Sequence, residues 1–232
     1  SRDWSSDVCS SDLKALTTLG EASLWTTYSY AVRTGTNYED DLPWNESHTT
    51  NYLNAGPQNH SIEYSLLRKY NLADRRRHEV KGGATVPLAS AFTADVEGSY
   101  AKDTYNHSLF GLRNGDAFLI DGDVAYVAGP VSASLYYSYE SIGAAQTGYY
   151  LATTNQNNPA QIWNAQNRDF VHTGGMKVDW DAIPKVLKLG TSYSVSYGWT
   201  RIGVQATPFT ALANTAPMPD AQSVTHTEIG RA

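Results

Sequence analysis

The sequence predicts an all-β protein: an antiparallel up-and-down transmembrane β-barrel, of which this chain supplies a partial, open, curved sheet of about seven strands. Three observations predict it. In Ala91–Lys102 (AFTADVEGSYAK), Phe92, Ala94, Val96, Gly98 and Tyr100 share one face while Thr93, Asp95, Glu97 and Ser99 share the other, the period-two signature of a strand with one apolar side. This pattern recurs along the chain with connections that alternate long and short, as in outer-membrane barrels. Sorted by strand direction, the aromatic residues fall into two levels with aliphatic residues between them, which is what two lipid–water interfaces select.

The strands follow in order. Gly20–Arg33 sets Leu24, Thr26, Tyr28, Tyr30 and Val32 against Ser23, Trp25, Thr27, Ser29 and Ala31. Thr34–His60, rich in Gly, Pro, Asn and Asp, reads as a loop. Ser61–Arg75 fits either a helix or a strand and is assigned to the same long loop, with one short helix in it. Arg76–Val86 sets His78, Val80, Gly82, Ala84 and Val86 against Arg77, Glu79, Lys81 and Thr85, and Pro87–Ser90 reads as a tight turn. After Ala91–Lys102 comes a loop, Asp103–Gly115, then Asp116–Val127 with Phe118, Ile120, Gly122, Val124 and Tyr126 on its apolar side. Gly129-Pro130 turns the chain into Val131–Ser141, with Val131, Ala133, Leu135, Tyr137 and Tyr139 together. Ile142–Arg168 reads as a long loop. Asp169–Trp180 groups Phe170, His172, Met176, Val178 and Trp180, and Asp181–Val186 is a turn. Leu187–Arg201 alternates most cleanly, from Leu187 to Trp199. Residues 202–232 read as a loop-like, truncated end, so the barrel region is 14–201.

The expected belts are Tyr28, Tyr30, Tyr100, Phe118, Tyr137, Tyr139, Phe170, Tyr197 and Trp199 at the long-loop end, and Phe92, Tyr126 and Trp180 at the short-turn end. Seven strands do not close a single-chain bacterial barrel, whose strand count is even and at least about eight, so the chain reads as a wall of something larger.

Composition narrows the field. The chain has 232 residues, a net charge of −6 and 41% hydrophobic residues, with a mean hydropathy of −0.43. It has no apolar run of about 20 residues to form a spanning helix. Mild acidity without a basic aromatic face argues against nucleic acid as a partner. The single cysteine, Cys9, excludes a disulfide framework and a cysteine-pair metal site, and the absence of Cys-x-x-Cys-His excludes covalent c-type haem. Ser1–Leu13 (SRDWSSDVCSSDL) resembles a translated sequencing adapter and is set aside as an artefactual tail.

The residues on the polar side of the strands, Glu79, Lys81, Asp95, Glu97, Asp121, Asp123, Lys177 and Asp179, are candidates to touch whatever fills the lumen, or simply to keep it wet. Asp95 with Glu97, and Asp121 with Asp123, have the spacing of paired acids, but no nucleophile or water-activating partner accompanies them, so no catalytic residues are assigned. Arg75, Arg76 and Arg77, beside the outer leaflet, suit lipopolysaccharide phosphates or a solvated charge run. The six histidines (His48, His60, His78, His107, His172, His226) have no metal-ligand spacing, and His172 reads as an interfacial ring.

At LLRKYNLADRRRHEV, SYAKDTYNHSLFGL and SLYYSYE, and in the Trp163…Arg168…KVDW…KLGTSYSVSYG block, the chain resembles the MtrB/PioB family of decahaem-associated outer-membrane β-barrel proteins, over roughly Leu24–Arg201. The resemblance implies a non-enzymatic sheath in the bacterial outer membrane. It would hold a multihaem c-type cytochrome in its lumen for transmembrane, extracellular electron transfer. It would contact the lipid bilayer and lipopolysaccharide, and bind no cofactor directly because the partner carries the haem. Two other readings remain at this point: a general porin or transport barrel, and a secreted all-β binding protein whose apolar faces pack on each other in a sandwich.

Overall fold

The computed structural model describes residues 7–34, 67–68, 73–106, 110–149, 162–206 and 219–231. They form ten strands: β1 (Asp7–Leu19), β2 (Ala22–Arg33), β3 (Leu67–Arg68), β4 (Arg75–Ala89), β5 (Phe92–Tyr105), β6 (Phe110–Ala128), β7 (Val131–Tyr149), β8 (Ile162–Ile183), β9 (Leu187–Ala206) and β10 (Ala221–Arg231). Nine of them make an antiparallel meander in the order β1-β2-β4-β5-β6-β7-β8-β9-β10; the two-residue β3 pairs parallel with β6 outside that path. The sheet is open, with β1 and β10 as its edges. Gly20 and Gly129 take the positive φ that their short turns need, at 63° and 56°.

All seven expected strands are present, and the sheet extends beyond them. Residues 202–232, expected to be loop-like, contain the end of β9 and all of β10. β10 turns Gln222, Val224, His226 and Glu228 to one side and Ser223, Thr225, Thr227 and Ile229 to the other, so it lacks the contrast that marked the other strands. The tail set aside as artefactual contributes Asp7–Leu13 to β1, paired with β2. An edge with unpaired N–H and C=O groups will accept any extended segment laid along it.

The expected loop Ile142–Arg168 is largely strand, because β7 continues to Tyr149 and β8 starts at Ile162. The expected loop Asp103–Gly115 is shortened in the same way by β5 and β6. Period two records a difference between lipid and water. Above the membrane both faces are wet, so the alternation fades while backbone pairing goes on. The expected turn Pro87–Ser90 is instead strand up to Ala89, with Pro87 at a register shift opposite Thr93, a position where a missing N–H is tolerated. Of the ambiguous Ser61–Arg75, only 67–68 and 73–75 are described, and none of these is helical.

One face of this sheet has no protein cover. Leu135 is 65% exposed, Met176 52%, Val80 48% and Trp180 48%. Among the described residues the buried apolar side chains are Ala73, Ala101, Tyr105, Phe110 and Ala165, too few and too small for a core. A soluble sandwich would bury this face against a second sheet; here the solvent that suits it is lipid.

The register gives the strand tilt. Thr17, Leu24, Ala84, Val96, Gly122, Tyr137, Gly174, Val195 and His226 form one hydrogen-bonded row. Within it, Leu24 stands two residues past Ala22, Val96 four past Phe92, Tyr137 six past Val131 and Val195 eight past Leu187. Each hairpin therefore slips by two residues against the last, or one residue per strand. With strands about 4.8 Å apart and about 3.3 Å of rise per residue, that slip is a tilt of about 35°, within the range of outer-membrane barrels.

The tilt converts sequence position into height. Tyr28, Tyr137 and Tyr193 are each six residues past the start of their strand, and Tyr30, Tyr100 and Tyr139 eight. They form a belt about 20 Å above the turns, where Phe92 and Tyr126 meet with ring centroids 4.8 Å apart.

Candidate functional site on the lumen wall

All eight charged residues expected to face the lumen lie on the face opposite the belts. Two adjacent rows carry the centre of the wall: Gly83–Glu97–Asp121–Ser138 and Thr85–Asp95–Asp123–Tyr136. Asp95 is thus directly opposite Asp123, and Glu97 directly opposite Asp121, which makes a block of four carboxylates. Like charges opposed across a strand pair are destabilising. Among the described residues no cation lies within ion-pair distance of any of the four; Asp95 accepts a short hydrogen bond from the Thr85 hydroxyl. The other four residues compensate each other along their own strands, Lys81 to Glu79 at 3.3 Å and Lys177 to Asp179 at 2.8 Å. Among the described residues no three His, Cys, Asp or Glu are placed to hold a metal ion.

The lumen wall also carries a register device that the sequence reading missed. Trp25 lies directly opposite Gly83, Tyr136 opposite Gly175 and Trp163 opposite Gly148. A Cβ at Gly83 would come within 2.7 Å of Trp25 Nε1, and one at Gly175 within 2.6 Å of the Tyr136 ring. Each aromatic ring occupies the space that a Cβ on the opposed glycine would take, filling the gap and fixing the pairing. The available signal was an inward-facing aromatic residue on one strand with a glycine across the expected register.

On the outward face, three histidines accept or donate one hydrogen bond each in the same way. Tyr28 Oη is 2.8 Å from His78 Nδ1, Tyr137 Oη 2.6 Å from His172 Nδ1 and Tyr193 Oη 2.8 Å from His226 Nδ1. Each tyrosine is on an ascending strand and each histidine on the following descending one. The stagger places all three pairs at one height, in the outer belt. His172, expected to be an interfacial ring, lies at the height of the outer tyrosine belt, and the pairing places His78 and His226 at the same height; His48, His60 and His107 lie outside the described residues. Phe170 and Trp199 stack with centroids 4.9 Å apart.

From β2 to β9 the outward face carries no charged residue between the turns and this belt. Just above it the Arg168 guanidinium binds both oxygens of Asp116 at 3.0 Å, across Gly143. The run Arg75–Arg77 does not act as one patch, because neighbours on a strand point to opposite faces. Arg75 and Arg77 face inward, 3.9 and 3.8 Å from Asp103, and only Arg76 faces outward. At that inner rim, beyond the membrane span, burial first and Asp103 second push the Tyr105 hydroxyl above its ordinary pKa.

Comparisons with known proteins agree with this architecture. The family model for outer membrane β-barrel porins of the MtrB/PioB type matches residues 15–228. Outer membrane protein MtrB of Shewanella baltica (strain OS185) is 27% identical over 175 residues, covering 75% of this chain; the chain spans 22% of that protein's length. Among solved structures, two variants of the ferric enterobactin receptor of Pseudomonas aeruginosa superpose on 83% of this chain and 28% of theirs. Their TM-scores are 0.54 and 0.52 at 15% and 16% identity, a likeness of fold alone. The chain belongs to the MtrB/PioB family of outer-membrane β-barrel proteins.

Proposed function

We propose that the barrel to which this chain contributes is a sheath. It encloses a multihaem c-type cytochrome and holds it across the outer membrane, so that electrons pass between periplasm and exterior along the partner's haems. The chain itself then binds no haem and does no redox chemistry.

The observation that supports this most is the block Asp95, Glu97, Asp121 and Asp123. It sits at mid-height on the lumen wall, opposed in like-charged pairs, without a cation beside it among the described residues. A protein surface carrying lysines against it would relieve the repulsion that an empty lumen leaves in place, and would gain orientation and association rate from the match. The family's own description names a porin, so a diffusive pore is the second reading; a wet polar wall serves that too.

Site-directed cross-linking separates them. Asp121 faces the lumen and its neighbour Ile120 faces lipid. In the full-length protein expressed with a multihaem cytochrome, a photoreactive probe at Asp121→Cys is expected to capture the cytochrome, and the same probe at Ile120→Cys is not. Equal capture at both positions, or none at Asp121, would contradict the sheath. A barrel that passes small solutes freely whether or not the cytochrome is present would favour the pore.

A further inference from the structure

We propose that Arg76, His78 and Lys102 form a phosphate-binding patch on the lipid-facing wall, occupied by the phosphorylated headgroup of an outer-leaflet lipid. The three residues adjoin. His78 is directly opposite Lys102 in the register of β4 and β5, and Arg76 is the next outward residue on β4, opposite Thr104. Directly opposed residues have Cβ atoms about 5 Å apart, and outward neighbours on one strand are about 6.6 Å apart, which is the reach needed to close on one phosphate.

All of the groups offered are donors. Arg76 brings a planar fork suited to two phosphate oxygens, Lys102 an ammonium and Thr104 a hydroxyl. The Tyr28 hydroxyl and Nδ1 of His78 share a 2.8 Å hydrogen bond; in the tautomer in which Tyr28 donates, the ring proton is on Nε2, free to donate to a phosphate oxygen. Tyr30 packs on the same imidazole, centroids 4.8 Å apart, and holds its plane.

Two features direct this patch to a lipid rather than to water. Among the described residues neither Arg76 nor Lys102 has a carboxylate within ion-pair distance: Asp116, directly opposite Lys102 on β6, is held by Arg168, and the other outward cation, Arg201 on β9, is matched by Asp220. Its height is also that of headgroups. Lys102 stands ten residues past the start of β5, about 27 Å above the turns, immediately over the belt tyrosines Tyr28 and Tyr100. A lipid whose chains lie along Val80 and Val96, both exposed on this face, therefore has its phosphate at Arg76 and Lys102.

The test uses the full-length protein in detergent, with bound lipid counted by native mass spectrometry. The probes are bisphosphorylated lipid A, its dephosphorylated form and inorganic phosphate. The double variant Arg76→Ala with Lys102→Ala is expected to retain bisphosphorylated lipid A at least about tenfold less well than the wild type, the effect of losing two charge-assisted contacts. Arg77→Ala with Lys81→Ala makes the same charge change on the lumen side of the same strand and is expected to leave lipid retention unchanged. Arg76→Lys with Lys102→Arg keeps the charges and is expected to restore most of it, which separates lost binding from lost folding. Equal loss in the lumen-side variant, or undiminished retention in the outward one, overturns the proposal. Equal retention of the dephosphorylated lipid overturns the phosphate, and inorganic phosphate binding as tightly as the lipid overturns the lipid.

Discussion

Neutralising half of the carboxylate block should stabilise the empty barrel. Glu97→Gln with Asp123→Asn leaves Asp95 and Asp121 on a diagonal and removes every nearest-neighbour repulsion in the block, two across the strands and two along them. Carboxylates about 5 Å apart across the strands and about 6.6 Å along them repel by roughly 0.6–0.8 kcal/mol per contact in water. Physiological salt, with a screening length of about 8 Å, cuts each by about half. Four contacts then amount to on the order of 1–2 kcal/mol, and more where the wall lowers the local dielectric. The assay is urea unfolding of the full-length protein in detergent, followed by tryptophan fluorescence. The variant's midpoint should exceed the wild type's at about 20 mM salt, and the gap should narrow at about 500 mM. The same variant should bind a cytochrome partner more weakly. A midpoint that is unchanged or lower at low salt would refute the reasoning, since the four charges would then be compensated by something outside the wall described here.

Three further outcomes follow from named contacts. Gly83→Ala places a methyl 2.7 Å from Trp25 Nε1 and 2.9 Å from the Val96 carbonyl; overpacking of this kind costs about 1–3 kcal/mol. Gly98→Ala, whose nearest neighbour is 3.6 Å away, should stay within about 0.5 kcal/mol, so the two urea midpoints should separate clearly. Tyr137→Phe leaves His172 Nδ1 without its 2.6 Å partner on the lipid side and should cost about 1–3 kcal/mol, measured as a loss of heat-resistant folded barrel. Asp116→Ala removes an exposed ion pair and should cost less than about 1 kcal/mol, with the difference vanishing in high salt.

The fold was legible wherever one side of a strand meets lipid and the other meets water. Phe92–Tyr100 and Leu187–Trp199 announce themselves through that contrast. β10 does not, because Gln222, His226 and Glu228 share its outward side with Val224, and the upper parts of β7 and β8 do not, because both of their faces are wet. The lumen face was legible for the same reason as the lipid face, since one residue's side fixes its neighbour's. What strand periodicity alone does not carry is which residues meet across strands. The opposition of Asp95 to Asp123, the rings over Gly83 and Gly175, the recurring tyrosine–histidine pairs and the division of Arg75–Arg77 between two faces all depend on register. Register in turn depends on the length of each turn and on the one-residue slip per strand, and small errors in turn placement, as at Pro87, erase it.

As a sheath, the barrel would conduct electrons only by holding a cytochrome. The most direct test of this is electron transfer from an external reductant to a redox dye sealed inside proteoliposomes, with the full-length protein alone, a multihaem cytochrome alone, and both together. The sheath predicts dye reduction only when both are present, and slower reduction when Glu97 and Asp123 are neutralised. Reduction by the barrel alone through leakage of a small reductant, unchanged by adding the cytochrome, would contradict it and leave a pore.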